Sequence, residues 1–196
     1  SGFKEALAGV YSIMTQEYLY GKELTFGMLG VLAQEWDNLP TDYTDDKDYK
    51  YENTKPEVRI DSVWNGLYNA VANANKLLEE IDGKKSVFSG VNYDVIKGEA
   101  LALRAFLHFD LLRLFAPAPV TNPTGLAMPY VTTYPDHQPE HKSVNDVLAS
   151  IIADMEKAKG ILAPVDTIFC LSWNQSTSGR IYQSSTYSSA PPNDFV

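Results

Sequence analysis

Residues 91–115 read VNYDVIKGEALALRAFLHFDLLRLF, and this stretch decides the fold. At ~100° per residue, Leu103, Leu107, Leu111 and Leu114 fall on one side of a helix, and Ala102, Phe106 and Phe109 fall on or near the opposite one. A surface helix carries one apolar stripe, whereas this one is apolar nearly all round, so it is expected between neighbours in a helical array. Asp110 and Arg113 mark its narrow wet strip.

On either side of it the helical period recurs. Phe3, Leu7, Val10, Tyr11, Met14 and Tyr18 make one stripe that Gly21 can stop, and residues 23–34 have the composition of a second helix, with Gly27 and Gly30 calling for a close neighbour. Ile60, Trp64, Leu67, Val71, Ala74, Leu78 and Ile81 form a continuous face, ended by Asp82-Gly83 with Gly83 as a left-handed cap. Beyond the central helix, six prolines between Pro117 and Pro139 predict an extended, semi-rigid loop. Ser143 then opens a last helix as N-cap, with Asp146 three residues on, and the face from Val144 to Leu162 is broadly apolar. From residue 164 the chain turns Ser/Thr-rich, with no sustained period. The reading is all-α: about five helices over residues 1–163, long loops between some of them, and an irregular tail over 164–196.

Composition narrows the function. The 196 residues hold 16 Lys and Arg against 25 Asp and Glu, a net charge of -9, which argues against a nucleic-acid partner because phosphate binding needs clustered basic residues. Cys170, the single cysteine, forms no internal disulfide and lies in no zinc spacing. No apolar run approaches the ~20 residues of a membrane-spanning helix. The Ser1-Gly2 start suggests that something upstream was removed.

Three blocks then occur in order: ALAGVYSIM (residues 6–14), WNGLYNAVANANKLLEEI (64–81) and GEALALRAFLHFDLLRLFAPAPV (98–120). With DMEKAKGIL (154–162), they resemble the N-terminal part of SusD/RagB-family outer-membrane lipoproteins of Bacteroidetes. Trp64, Tyr68, Asn75, Glu99, Arg104 and Phe109 belong to these structural blocks. The resemblance implies tetratricopeptide-like helix pairs and a non-catalytic, surface-exposed lipoprotein of the outer membrane. It also implies capture of glycan or another nutrient, a TonB-dependent SusC-like transporter as partner, and no cofactor. Two departures accompany it. Ala116-Pro117 stands where the family usually has Gly, and the family usually continues for several hundred residues, so the chain reads as a truncated or divergent member. A shift of reading frame near Asp166 would account for the tail. The lipid-anchor Cys and its signal would lie upstream, since no Cys stands at the start.

Individual residues are weighed on their own chemistry. Trp64 and Tyr68 could stack on sugar, but their place on the periodic face favours packing. Asn73 and Asn75 suit bonds to a neighbouring turn's backbone. Arg104 and His108, four apart, could pose as a catalytic pair. No nucleophile accompanies them, and a buried arginine is more simply half of a structural ion pair whose carboxylate the sequence does not name. His137 and His141 are separated by Pro139, which breaks the helix that would align them on a metal. Asp42, Asp45, Asp46 and Asp48 lack the Gly and Glu of an EF-hand and read as a solvated acidic loop. Trp36, Tyr43, Tyr49 and Tyr51 stand in the aperiodic stretch 36–56. They have the chemistry of a sugar site, rings to stack and neighbouring Asp and Asn to bond hydroxyls, and equally that of pins holding the loop to the helices. A tetratricopeptide-like scaffold that binds a partner protein and no glycan is the competing function. A helical hydrolase finds no GxSxG, HExxH or CxxC to support it.

Overall fold

The computed structural model describes residues 2–135 and 139–165. Six α-helices follow in order: α1 (Gly2–Met14), α2 (Met28–Leu32), α3 (Thr44–Lys47), α4 (Thr54–Ile81), α5 (Asn92–Phe115) and α6 (Val144–Leu162). The expected all-α class holds. α5 packs against α4 on one side and α6 on the other, while α1 packs mainly on α4. The central place read from its apolarity is therefore correct. Leu67, Val71 and Ala74 of α4, Leu107 and Leu111 of α5, and Val144 and Val147 of α6 are fully buried between these layers.

The all-round apolarity resolves differently from expectation. Phe106 and Phe109 remain 38% and 39% exposed, while Asp110 is buried. Asp110 can be buried because Tyr20 donates to it at 2.6 Å and the Arg113 guanidinium bonds it from one turn on, so its charge keeps partners.

Three boundaries also move. α1 stops at Met14, and residues 15–27 form successive turns in which Tyr20 N–H bonds Met14 C=O and Glu23 N–H bonds Glu17 C=O. Of the helix expected over 23–34 only Met28–Leu32 forms. Gly27 and Gly30 admit close neighbours instead: an added Cβ would lie 2.7 Å from the Glu23 carboxylate and 2.7 Å from Trp36 Nε1 respectively. Gly83 does not cap α4, which runs on into a 3-10 segment Asp82–Val87, and the left-handed residue before α5 is Gly90. Pro56 lies in the first turn of α4, where its missing N–H would have had no helical partner.

The proline-rich segment is more than a surface loop. Ala127 N–H bonds Lys142 C=O and Val144 N–H bonds Gly125 C=O, which joins residues 125–127 to the start of α6. Ser143 then caps α6, its hydroxyl accepting from Asp146 N–H, as its spacing predicts. Met128, Tyr130 and Val131 are buried, and side chains of α4 and α5 take up the strap's backbone groups. Tyr68 donates to Pro129 C=O at 2.8 Å and Asn75 to Val131 C=O at 3.0 Å, while His108 Nε2 accepts from Val131 N–H at 3.0 Å. Asn75 thus bonds this distant strap, whereas Asn73 bonds Asn69 in the preceding turn, as expected of it.

The carboxylate facing Arg104 is Asp154 of α6, held at 2.7 and 2.9 Å by two guanidinium nitrogens. Tyr130 also donates to Asp154, and Arg104 reaches Asn75 at 3.1 Å. Every member of this network has a partner, which is the condition under which a buried pair can be tolerated. Glu99 accepts from Tyr11 at 3.0 Å and ties α5 to α1. Trp64 packs edge-on against Phe115, with ring centres 4.9 Å apart, so it joins α4 to the end of α5. The Ser/Thr-rich stretch, apart from Pro164 and Val165, and His137 lie outside the described residues.

Candidate functional site

The excursion between α2 and α4 is organised by one cation. Arg59, in the second turn of α4, sends Nη1 to Asp46 at 2.6 Å and Nη2 to Asp42 at 2.7 Å, and its Nε lies 3.4 Å from Glu23. Its planar guanidinium also covers the Tyr43 ring, 4.2 Å from the centroid. Asp42 and Asp46 are four apart, so the short helical turn at this point presents both to the same guanidinium. The expectation of a solvated acidic loop holds for Asp42 and Asp48, which stay exposed, and fails for Asp46, which is buried at 1% exposure because an arginine satisfies it.

Glu23 completes the assembly from the other side. It is buried, accepting Tyr43 O–H at 2.8 Å on one oxygen and Met28 N–H at 2.9 Å on the other, so one carboxylate holds both the loop and the start of α2. Burial raises the Tyr43 hydroxyl above its usual pKa, with Lys22 opposing it and the Glu23 carboxylate adding to it. Burial tends to lower the pKa of Arg59, but the Asp46 charge and hydrogen bond outweigh it and the pKa is raised. The Lys55 ammonium bonded to Asp42 holds that carboxyl below the usual range.

Beside this cluster opens a cleft of about 460 Å³ between the turns after α1 and the first three turns of α4. Tyr18 presents a ring on one wall, 37% exposed, next to the carboxylate of Glu17. Thr54, Lys55, Val58 and Ser62 of α4 form the other wall, with Asp42 at the edge. Gly66 lets Tyr18 approach: an added Cβ would stand 2.6 Å from its ring. The cleft combines an aromatic face, an exposed Val58, hydroxyls and carboxylates, groups that suit a ligand with apolar C–H faces and many hydroxyls.

The four aromatics singled out in the sequence are not gathered into one surface. Tyr43 is buried under Arg59, with its ring and hydroxyl both engaged. Trp36 is 45% exposed and its indole N–H donates to Phe26 C=O at 3.2 Å. Tyr49 donates to Leu32 C=O at 3.1 Å and meets the ring of Tyr51 edge-on at 6.2 Å, both rings about half exposed. None of the four lines the cleft. The residues that do, Tyr18 and Glu17 among them, escape a sequence reading because Tyr18 sits at the end of a regular apolar stripe. It lies four residues beyond the end of α1, among the turns that follow Met14. No group of three or more metal-ligating side chains forms among the described residues, and no helix there is long and apolar enough to cross a membrane.

Comparison with known proteins gives one consistent result. Residues 2–176 match the model of the SusD-like family described as starch-binding and associating with the outer membrane. A SusD-like protein P25 of Formosa agariphila is 23% identical over 175 residues, which are 84% of this chain and 31% of that relative. A SusD-like carbohydrate binding protein of Bacteroides vulgatus superposes with a TM-score of 0.68 at 22% identity, over 82% of this chain and 35% of that one. A SusD superfamily protein of Bacteroides thetaiotaomicron gives 0.62 at 21% identity, over 82% and 36%. The chain spans about a third of the length of these relatives.

Proposed function

This chain belongs to the SusD-like family, and from that premise we propose that it is a carbohydrate-binding component of an outer-membrane nutrient-uptake system, acting by binding and without catalysis. The observation that supports this reading most directly is the cleft beside Arg59, where the Tyr18 ring stands among hydroxyls and carboxylates. A sugar's C–H face can lie on the ring while its hydroxyls exchange hydrogen bonds with Glu17, Asp42 and Thr54. Trp36, Tyr49 and Tyr51 keep their rings about half exposed outside the cleft, with Tyr49 and Tyr51 edge-on to each other. Tyr43 serves the site indirectly, by fixing the loop beneath Arg59. In this reading the protein sits at the cell surface and hands glycan to a TonB-dependent SusC-like transporter.

Titrating tryptophan fluorescence with a panel of oligosaccharides tests the proposal, because Trp36 is partly open to solvent. A saturable change that Trp36→Phe diminishes and Tyr18→Ala weakens supports it; because Trp36 does not line the cleft, a flat response together with no binding heat across the panel refutes it. The competing scaffold reading draws on Phe106 and Phe109, whose half-exposed rings would suit a protein partner. A TonB-dependent transporter encoded beside this gene favours uptake over that alternative.

A further inference from the structure

Every cation on the wall of the cleft already has a carboxylate partner. Arg59 is held by Asp46, Asp42 and Glu23, and Lys55 Nζ lies 3.0 Å from Asp42. Lys22 beside them lies 3.4 Å from Glu23. Glu17, by contrast, brings a carboxylate to the same wall with no ion-pair partner among the described residues. A carboxylate or sulfate entering here would meet surplus negative charge and would have to break an existing pair to gain a cation. A neutral hydroxyl meets no such obstacle and can donate to Glu17 or to the exposed edge of Asp42. The net charge of -9 adds repulsion at longer range toward any polyanion.

We propose that the cleft is charge-selective, taking neutral hydroxyl-rich glycans and excluding chains that carry uronate or sulfate groups. The inference rests on the glycan-binding reading above and specifies its substrate class. Asp42 sets the selectivity, because its carboxylate neutralises both Lys55 and one arm of Arg59.

Matched pairs on one backbone isolate the charge: starch against carboxymethyl starch, and dextran against dextran sulfate. Calorimetric titration of each into the intact chain should show the substituted member binding at least about tenfold more weakly at low ionic strength. The gap should narrow when salt is raised from about 10 mM to about 1 M, which shortens the screening length from roughly 30 to 3 Å. Asp42→Asn, at a half-exposed side chain, should bring the substituted member closer to the neutral one by releasing Lys55. Glu17→Gln, which breaks no ion pair, should act in the same direction, and circular dichroism checks that both variants fold. Equal or tighter binding of the substituted polysaccharides overturns charge selection and leaves the glycan reading standing, as does an unchanged ratio in both variants. Binding of neither member of any pair overturns the glycan reading itself, and the charge selection with it.

Discussion

His108 should make the stability of this fold depend on pH between about 4 and 6.5. Its ring is fully buried and both nitrogens are engaged: Nδ1–H donates to Arg104 C=O at 2.8 Å, and Nε2 accepts from Val131 N–H at 3.0 Å. Only the neutral tautomer with the proton on Nδ1 can do this, because a proton on Nε2 would point at the Val131 N–H. Burial is the main reason that its pKa falls from 6.5 to about 4; the hydrogen bond to Arg104 C=O is the largest opposing influence, the Arg104 charge lowers the value further and the Asp154 charge opposes it. The folded value lies below the unfolded one, so between the two the unfolded chain binds the extra proton and unfolding is favoured as pH falls. The contribution is complete above about pH 6.5, declines toward pH 4 and is gone below it; a gap of about 2.5 units corresponds to about 3 kcal/mol. Urea denaturation at stepped pH, with His108→Gln as the reference, isolates this part from carboxylate titration. The wild type should lose more stability than the variant between pH 6.5 and 4.5. An imidazole that titrates near 6.5 by NMR, or parallel stability curves for the two proteins, refutes the argument.

Other outcomes follow from the same packing. Arg104→Met should cost about 3–5 kcal/mol by leaving Asp154 buried without its cation, while glycan affinity stays unchanged. An unaltered melting temperature would contradict this. Leu107→Ala, at a side chain with no exposure between α4 and α6, should cost about 2–5 kcal/mol in chemical denaturation. Gly98→Ala would place a Cβ 2.5 Å from Leu162 and should push the end of α6 outward, at about 1–3 kcal/mol, detected as faster amide exchange over residues 158–162.

How much of this was legible beforehand depended on the range of the interactions. α4, α5 and α6 were readable because each carries an apolar face repeating at helical spacing, and the central position of α5 followed from its apolarity. The turns after α1 were not, because they depend on Glu23 reaching Tyr43 across 20 residues and on contacts admitted by Gly27 and Gly30. For the same reason Asp46 looked solvated: its burial requires Arg59, 13 residues away on another element. The partner of Arg104 lay 50 residues on, beyond any periodic signal. Trp36, Tyr49 and Tyr51 stood out as aromatics in an aperiodic stretch, but Tyr43 could not be told from them, although it alone is buried beneath a guanidinium. The resemblance of the blocks at 6–14, 64–81 and 98–120 pointed to the family that the comparison then showed. Those blocks are scaffold, and the cleft lies mostly outside them.

The most direct test of the central claim is calorimetric titration of a panel of neutral oligosaccharides into the intact chain and into its Tyr18→Ala variant near neutral pH. The expected result is saturable one-site binding of at least one oligosaccharide, weakened about tenfold in the variant by loss of a stacking ring. Heat of dilution alone across the panel, or equal affinity in both proteins, would contradict a carbohydrate site in the cleft.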